Sequence, residues 1–294
     1  MLRSLVGSEM CIRDRYICLG TVYKQSIKSA KKKYDAVTIL EWGSKHIDEQ
    51  QRILASIGAV LNKEYYNKRS REGYELADYI AISSDHVKQS FINRGFSENK
   101  LLQNPYGVDI SMFHPTKLKE EFAYDLIMVG GWSLRKGCDM LIQLCKKYHY
   151  SLLHVGSIVD IDFPSDPNFT HIPAVNQKDL VKYYEQARVF VLPSREEGVA
   201  LVQAQAIACG LPIVCSKDSG GRDLRNFLHD KKWIIELEEF TIECLAECVR
   251  QALELSHTQL GVRNYTNEDI YNLTWEAYGK RYADNLKHIS YAKE

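Results

Sequence analysis

The chain lacks an excess of either charge, since its 294 residues carry 38 Lys and Arg against 38 Asp and Glu. A net charge of zero argues against a surface spread for nucleic acid, although it leaves room for a local basic patch. No apolar run approaches the ~18 residues that a membrane helix needs, so membrane contact would have to be peripheral. The eight cysteines include no Cys-x-x-Cys pair, and no histidines cluster at zinc spacing. They read as reduced core residues of a cytoplasmic protein with no bound metal. Cys244 and Cys248 stand at helical spacing among apolar neighbours, which favours packing. Internal repeats and low-complexity tracts are missing too. The densest basic cluster, Lys28 with Lys31 to Lys33, reads as a solvated helix face, with contact to anionic lipid as the alternative.

What the chain does have is a regular alternation of strands and helices from Tyr124 onward. Strands are expected at Tyr124 to Val129, Leu152 to Val155, His171-Ile172, Val189 to Leu192, Pro212 to Cys215 and Trp233 to Ile235. Helices are expected at Lys136 to Tyr148, Gln177 to Ala187, Val199 to Cys209 and Ile242 to Leu255. This is the pattern of a doubly wound parallel α/β sheet. Tyr271 to His288 reads as one long terminal helix. Before residue 107, strands are expected at Ala36 to Leu40 and Tyr79 to Ile82, a largely helical stretch at Ile47 to Arg71, and a helix from Ser84 to Asn93 with a Ser or Asp cap.

The most informative segment is Ser194 to Pro212, Ser-Arg-Glu-Glu-Gly-Val-Ala-Leu-Val-Gln-Ala-Gln-Ala-Ile-Ala-Cys-Gly-Leu-Pro. An apolar strand precedes it and an alanine-rich helix follows, so the first N–H groups of that helix face the carboxyl end of a buried parallel strand. Open α/β sheets bind ligands in such a crevice. A helix N-terminus favours an anion there by roughly 0.3–1 kcal/mol. Glu197, just before Gly198, is placed to accept hydrogen bonds from hydroxyl groups beside that anion. Phosphate together with hydroxyls suggests a nucleotide sugar.

This segment resembles the donor-site signature of retaining glycosyltransferases of family 4, which have the GT-B fold of two Rossmann-like domains. Three further motifs carry the resemblance in the family's order over roughly residues 70 to 290. Asn104 to Pro115 looks like the interdomain linker, Leu126 to Gly137 like the diphosphate-binding strand and loop, and Ser219-Gly220-Gly221 like the later glycine pair. The resemblance implies an acceptor-side domain over 16–107, a linker over 108–122, a donor-binding domain over 123–270, and a terminal helix over 271–294 that crosses back to the first domain. It also implies that the N-terminal domain is incomplete, because its opening strand and glycine-rich turn are not found. The first fifteen residues look like translated sequencing-adaptor read-through and are set aside.

By the same resemblance, Lys136 and Arg135 would stabilise the leaving diphosphate, Arg135 replacing a cation that many members carry where Gly131 stands here. A solvated basic pair at a helix start is the alternative. Glu197 would hold donor hydroxyls, with Glu196 as the structural alternative one residue away. Gly130, Gly198, Val199, Ala200 and Leu201 would present backbone groups to the donor, as would Gly220 and Gly221. Val175 would hold the base. Gln205 stands where the family has a second Glu that grips the ribose, and an amide lacks the charge-assisted pair that a carboxylate makes with a diol. In the N-terminal half, His46 is the candidate contact to the donor sugar, against a structural role. The implied activity is transfer of a hexose-type sugar from a nucleoside-diphosphate sugar to a glycan or lipid-linked acceptor, without metal or cofactor. A nucleotide-sugar-binding homologue or fragment without turnover, and a GT-B sugar-nucleotide epimerase, are the rival readings.

Overall fold

The computed structural model describes residues 15–20, 24–59, 61–115, 122–259 and 266–291. They form two compact units. The first comprises the residues up to Arg52 and Leu61–Asn104, and the second the short stretch from Ile53 together with everything from Pro105 onward.

Unit 1 contains β1 (Arg15–Leu19), α1 (Lys24–Tyr34), β2 (Val37–Trp42), α2 (Ile47–Ser56, which runs past its boundary), α3 (Glu64–Leu76), β3 (Tyr79–Ile82), α4 (Asp85–Ile92) and β4 (Leu101–Gln103). The strands pair in parallel in the order β1-β2-β3-β4. The first four residues of β2 and the last three of β3 are buried on both faces, as befits strands covered on both sides. Thr38 and Asp78 tie β2 to the entry of β3: the Thr38 N–H and hydroxyl donate to the Asp78 carboxylate at 2.8 and 2.9 Å. The helical stretch expected over Ile47 to Arg71 is two helices, interrupted at Gly58, whose φ of 67° no helix accommodates. Ser84 occupies the N-cap of α4 without a side-chain capping bond. Of the fifteen residues set aside, Arg15 opens β1 opposite Val37, and the others lie outside the described residues.

Unit 2 contains β5 (Tyr124–Val129), α5 (Cys138–Tyr148), β6 (Leu152–Val155), β7 (Phe169–Ile172), α6 (Gln177–Tyr184), β8 (Ala187–Leu192), α7 (Leu201–Ala208), β9 (Ile213–Ser216), α8 (Gly221–Arg225), β10 (Ile234–Leu237), α9 (Ile242–Gln259), α10 (Asn267–Asn272) and α11 (Trp275–Tyr291). Its sheet is wholly parallel, in the order β10-β9-β8-β5-β6-β7. Leu126 to Met128, Val189 to Leu192 and Ile213 to Cys215 are fully buried in one continuous core. The long helix expected over Tyr271 to His288 is α10 and α11 instead. A capping box of Thr266 and Asp269 opens α10, and the Thr274 hydroxyl, which accepts from the Ala277 N–H at 3.0 Å, starts α11 anew. Residues 116–121, most of the second half of the expected linker, are not among those described.

The strand order places the functional question. From β5 the chain winds outward through β6 to β7, then returns to β8 on the other side of β5 and winds through β9 to β10. The order therefore reverses between β5 and β8, and the crevice at the carboxyl ends of those two strands is the topological switch point where such sheets hold ligands.

Candidate functional site

Two loops meet at that crevice. The first, Gly130 to Gly137, joins β5 to α5. The second, Pro193 to Ala200, joins β8 to α7. Gly137 has φ 73°, and a Cβ there would lie 2.2 Å from the Pro193 carbonyl oxygen, so only glycine lets the loops approach this closely. The Arg195 N–H donates to Arg135 O at 2.9 Å. The Arg195 guanidinium makes a two-pronged ion pair with Asp139 at 2.6 and 2.7 Å and reaches Leu134 O at 2.7 Å. The loop after β9 joins them, since the Glu197 N–H donates to Asp218 O at 3.0 Å, and the Ser216 hydroxyl donates to Ser194 O. Three loops from three adjacent strands are thus stitched into one rim.

Four charged side chains converge on this rim. Arg135 Nη1 donates to Glu196 O at 3.0 Å and lies 3.3 Å from Glu196 Oε2 and 3.4 Å from Glu197 Oε2. The Lys136 ammonium contacts Glu197 Oε2 directly. Glu196 is wholly buried, whereas the Glu197 side chain retains 16% exposure and Arg135 32%. The two adjacent carboxylates therefore differ: Glu196 anchors Arg135 from within, and Glu197 is the one with an open side. Burial, with the neighbouring guanidinium adding to it and Glu196 opposing, pulls the Lys136 amine down to about 7. The solvated basic pair that served as the alternative is not what the structure holds, because Lys136 is buried.

The remaining expected residues of unit 2 fall as follows. Gly130 follows β5 and Val175 ends the loop after β7, next to the N-cap Asn176 of α6, so both stand at the carboxyl edge of the sheet. Gly198, Val199 and Ala200 lie in the crevice loop. The helix begins at Leu201, with Ala200 as its N-cap, two residues later than expected. Gly220 caps α8 and packs on the Gly198 carbonyl oxygen, 2.6 Å from where a Cβ would be. Gly221 lies against Cys215.

Gln205 is buried within α7, where its amide oxygen accepts a hydrogen bond from the Tyr184 phenol at 3.1 Å. It is no surface residue. The same phenol oxygen lies 3.3 Å from Val202 O, so Tyr184 holds the Gln205 amide against the α7 backbone.

His46 belongs to unit 1. It precedes α2, its Nδ1 accepts from the Asp48 N–H at 3.3 Å, and its ring packs edge-on to Phe91 and tilted against Tyr74 and Phe96. Burial, opposed by Asp48, holds it down near 4. A neutral ring that caps a helix inside an aromatic cluster describes the structural role.

Sequence reasoning missed Tyr184 and the Arg195–Asp139 pair. Neither has a local signal: the pair is separated by 56 positions, and Tyr184 reads as one more apolar position of an amphipathic helix.

Comparison with known proteins shows what the residues around this rim are similar to. Residues 123–254 match the family model of the glycosyl transferases group 1. This match takes in somewhat less than half of the chain. The chain is 40% identical over 174 residues to a D-inositol 3-phosphate glycosyltransferase of an Arthrobacter species, covering 51% of this chain and 38% of that protein. It is 25% identical over 163 residues to an uncharacterized glycosyltransferase of Methanocaldococcus jannaschii, covering 52% and 46%. The chain therefore spans less than half the length of either relative. Sucrose-phosphate synthase from Thermosynechococcus elongatus superposes with a TM-score of 0.66 at 17% identity, over 94% of this chain and 73% of that one. Anabaena HepE in complex with UDP-glucose superposes with a TM-score of 0.64 at 13% identity, over 92% and 78%. The fold is GT-B, and the crevice rim lies inside the residues that match the family model.

Proposed function

We propose that the chain carries the donor-binding domain of a retaining glycosyltransferase of family 4, with residues 16–107 as acceptor-side domain. It would transfer a hexose-type sugar from a nucleoside-diphosphate sugar to a glycan or lipid-linked acceptor. The observation that carries this reading is the meeting of Arg135 and Lys136 with Glu197 at the switch point between β5 and β8. Cations for a diphosphate and a carboxylate for sugar hydroxyls are what a nucleotide sugar needs side by side.

In the proposed reaction, the bond from the anomeric carbon to the diphosphate oxygen breaks and a bond to the acceptor oxygen forms on the same face. The acceptor proton passes to the departing diphosphate. Arg135, Lys136 and backbone N–H groups take up the growing negative charge, with no metal or organic cofactor called for. Gln205 would hydrogen-bond the ribose through its side-chain amide. The seven described cysteines are free thiols, which suits a reducing cytoplasm. Lys28, Lys32 and Lys33 are exposed on α1 and could meet anionic lipid if the acceptor is lipid-linked. No helix among the described residues is long and apolar enough to cross a membrane.

Since HepE was solved with UDP-glucose, a panel of UDP- and GDP-sugars is the first assay, read as sugar release or transfer. Lys136→Ala is expected to lower kcat/KM by roughly 100-fold or more with the melting temperature unchanged. Turnover equal to wild type would sink the assignment. Binding without turnover is the second reading, favoured by an amide at Gln205 where the family has a carboxylate; nucleotide affinity with no sugar release from any donor would select it.

A further inference from the structure

His154 on β6 and His171 on β7 stand directly opposite each other in register. Their rings stack at 15°, and their Nδ1 atoms are 2.9 Å apart. On its other side, His154 Nε2 lies 2.8 Å from the carbonyl oxygen of Gly130, the residue that follows β5 and opens the crevice loop. A carbonyl only accepts, so His154 carries its proton on Nε2, and its bare Nδ1 accepts from the His171 Nδ1–H. Phe163 stacks on the His154 ring at 27° and Trp132 packs against it, so the imidazole is wholly buried. Burial keeps it near 4, opposed by its bond to Gly130, and neutral at pH 7.

The Gly130 carbonyl is also held from a second direction. A Cβ on Gly156 would lie 1.9 Å from that oxygen, so the backbone after β6 presses against it. The Gly130 N–H in turn donates to Val155 O at 2.9 Å. In a planar trans peptide, C=O and the next N–H point in opposite directions. Fixing the Gly130 oxygen toward His154 therefore aims the Gly131 N–H away from the histidine pair, and that N–H has no partner among the described residues.

We propose that His154, held in its tautomer by His171, is a positioning residue: through the Gly130 carbonyl it sets the direction of the Gly131 N–H as a donor to the diphosphate. The donor role of Gly131 rests on the function proposed above, whereas the orienting hydrogen bond does not. Gln can reproduce the His154 donor with its own Nε2, and Phe keeps the ring without it.

The test uses the whole chain, with two readouts. The first is the Gly131 amide resonance in the ligand-free protein, and the second is affinity for UDP by calorimetry. His154→Phe is expected to move the resonance and weaken UDP about tenfold, the scale of one hydrogen bond, and His154→Gln to restore both. His171→Phe, which leaves His154 free to change tautomer, is expected to give an intermediate loss. A Gly131 resonance indifferent to residue 154, or a folded Gln variant no better than Phe, overturns the proposal. A wild type that binds no nucleotide while the Gly131 resonance still follows residue 154 overturns the donor reading and supports the orienting bond.

Discussion

Lys136 is the side chain on which most depends. It is buried beside Arg135 and in contact with Glu197, and its amine is lowered to about 7 by burial first and the guanidinium second. Below pH 7 the free protein already carries the ammonium that an anion requires. Above it, a bound diphosphate must draw a proton in, because the anion favours the charged form. Affinity for a nucleotide sugar should therefore fall as pH rises through 7, by at most about tenfold per unit for one proton. Calorimetry at pH 6 and pH 8.5, in buffers of different ionisation enthalpy, reads both the loss and the proton uptake. Lys136→Arg, whose guanidinium stays charged throughout, should flatten the dependence; an equally steep profile in that variant would assign the titration elsewhere.

Among the elements, the loops matter more than the helices. The rim exists because the backbone at Gly137 comes against Pro193 O. Gly137→Ala adds a Cβ both at positive φ and in contact with backbone that cannot yield, and should cost roughly 3 kcal/mol or more. A urea denaturation midpoint near that of wild type would show that the loops can part cheaply. The same scale explains what the amino-acid order reveals. β3 and β5 are legible to the residue, since both are apolar runs bounded by polar residues. β1 and β4 are not, because β1 begins inside the residues set aside as read-through and β4 is only the three residues Leu101–Gln103, too short for a periodic signal. The break between α10 and α11 is hidden because Thr274 interrupts a pattern that is otherwise amphipathic. In the site, Arg135, Lys136, Glu197 and the glycines are legible from motif. The contact of Lys136 with Glu197, the anchoring of Arg135 by Glu196 and the Tyr184 bond to Gln205 depend on loops and helices brought together by the sheet order, which no local pattern encodes.

At the scale of the whole molecule, the two units have separate apolar cores, one around Leu40, Tyr74, Ile80 and Phe91 and the other running through β5, β8 and β9. Every expected donor residue except His46 lies in unit 2, and His46 is engaged by its own helix cap and aromatic neighbours in unit 1. The central claim is that a nucleoside diphosphate binds at the rim between β5 and β8. Hydrogen exchange of the whole chain with and without UDP, resolved by peptide, locates that site. Slowed exchange in the Gly130 to Gly137 and Pro193 to Val202 segments, lost in Lys136→Ala, is the predicted result. Protection confined to unit 1, or to the β10–α9 side of unit 2, would contradict it.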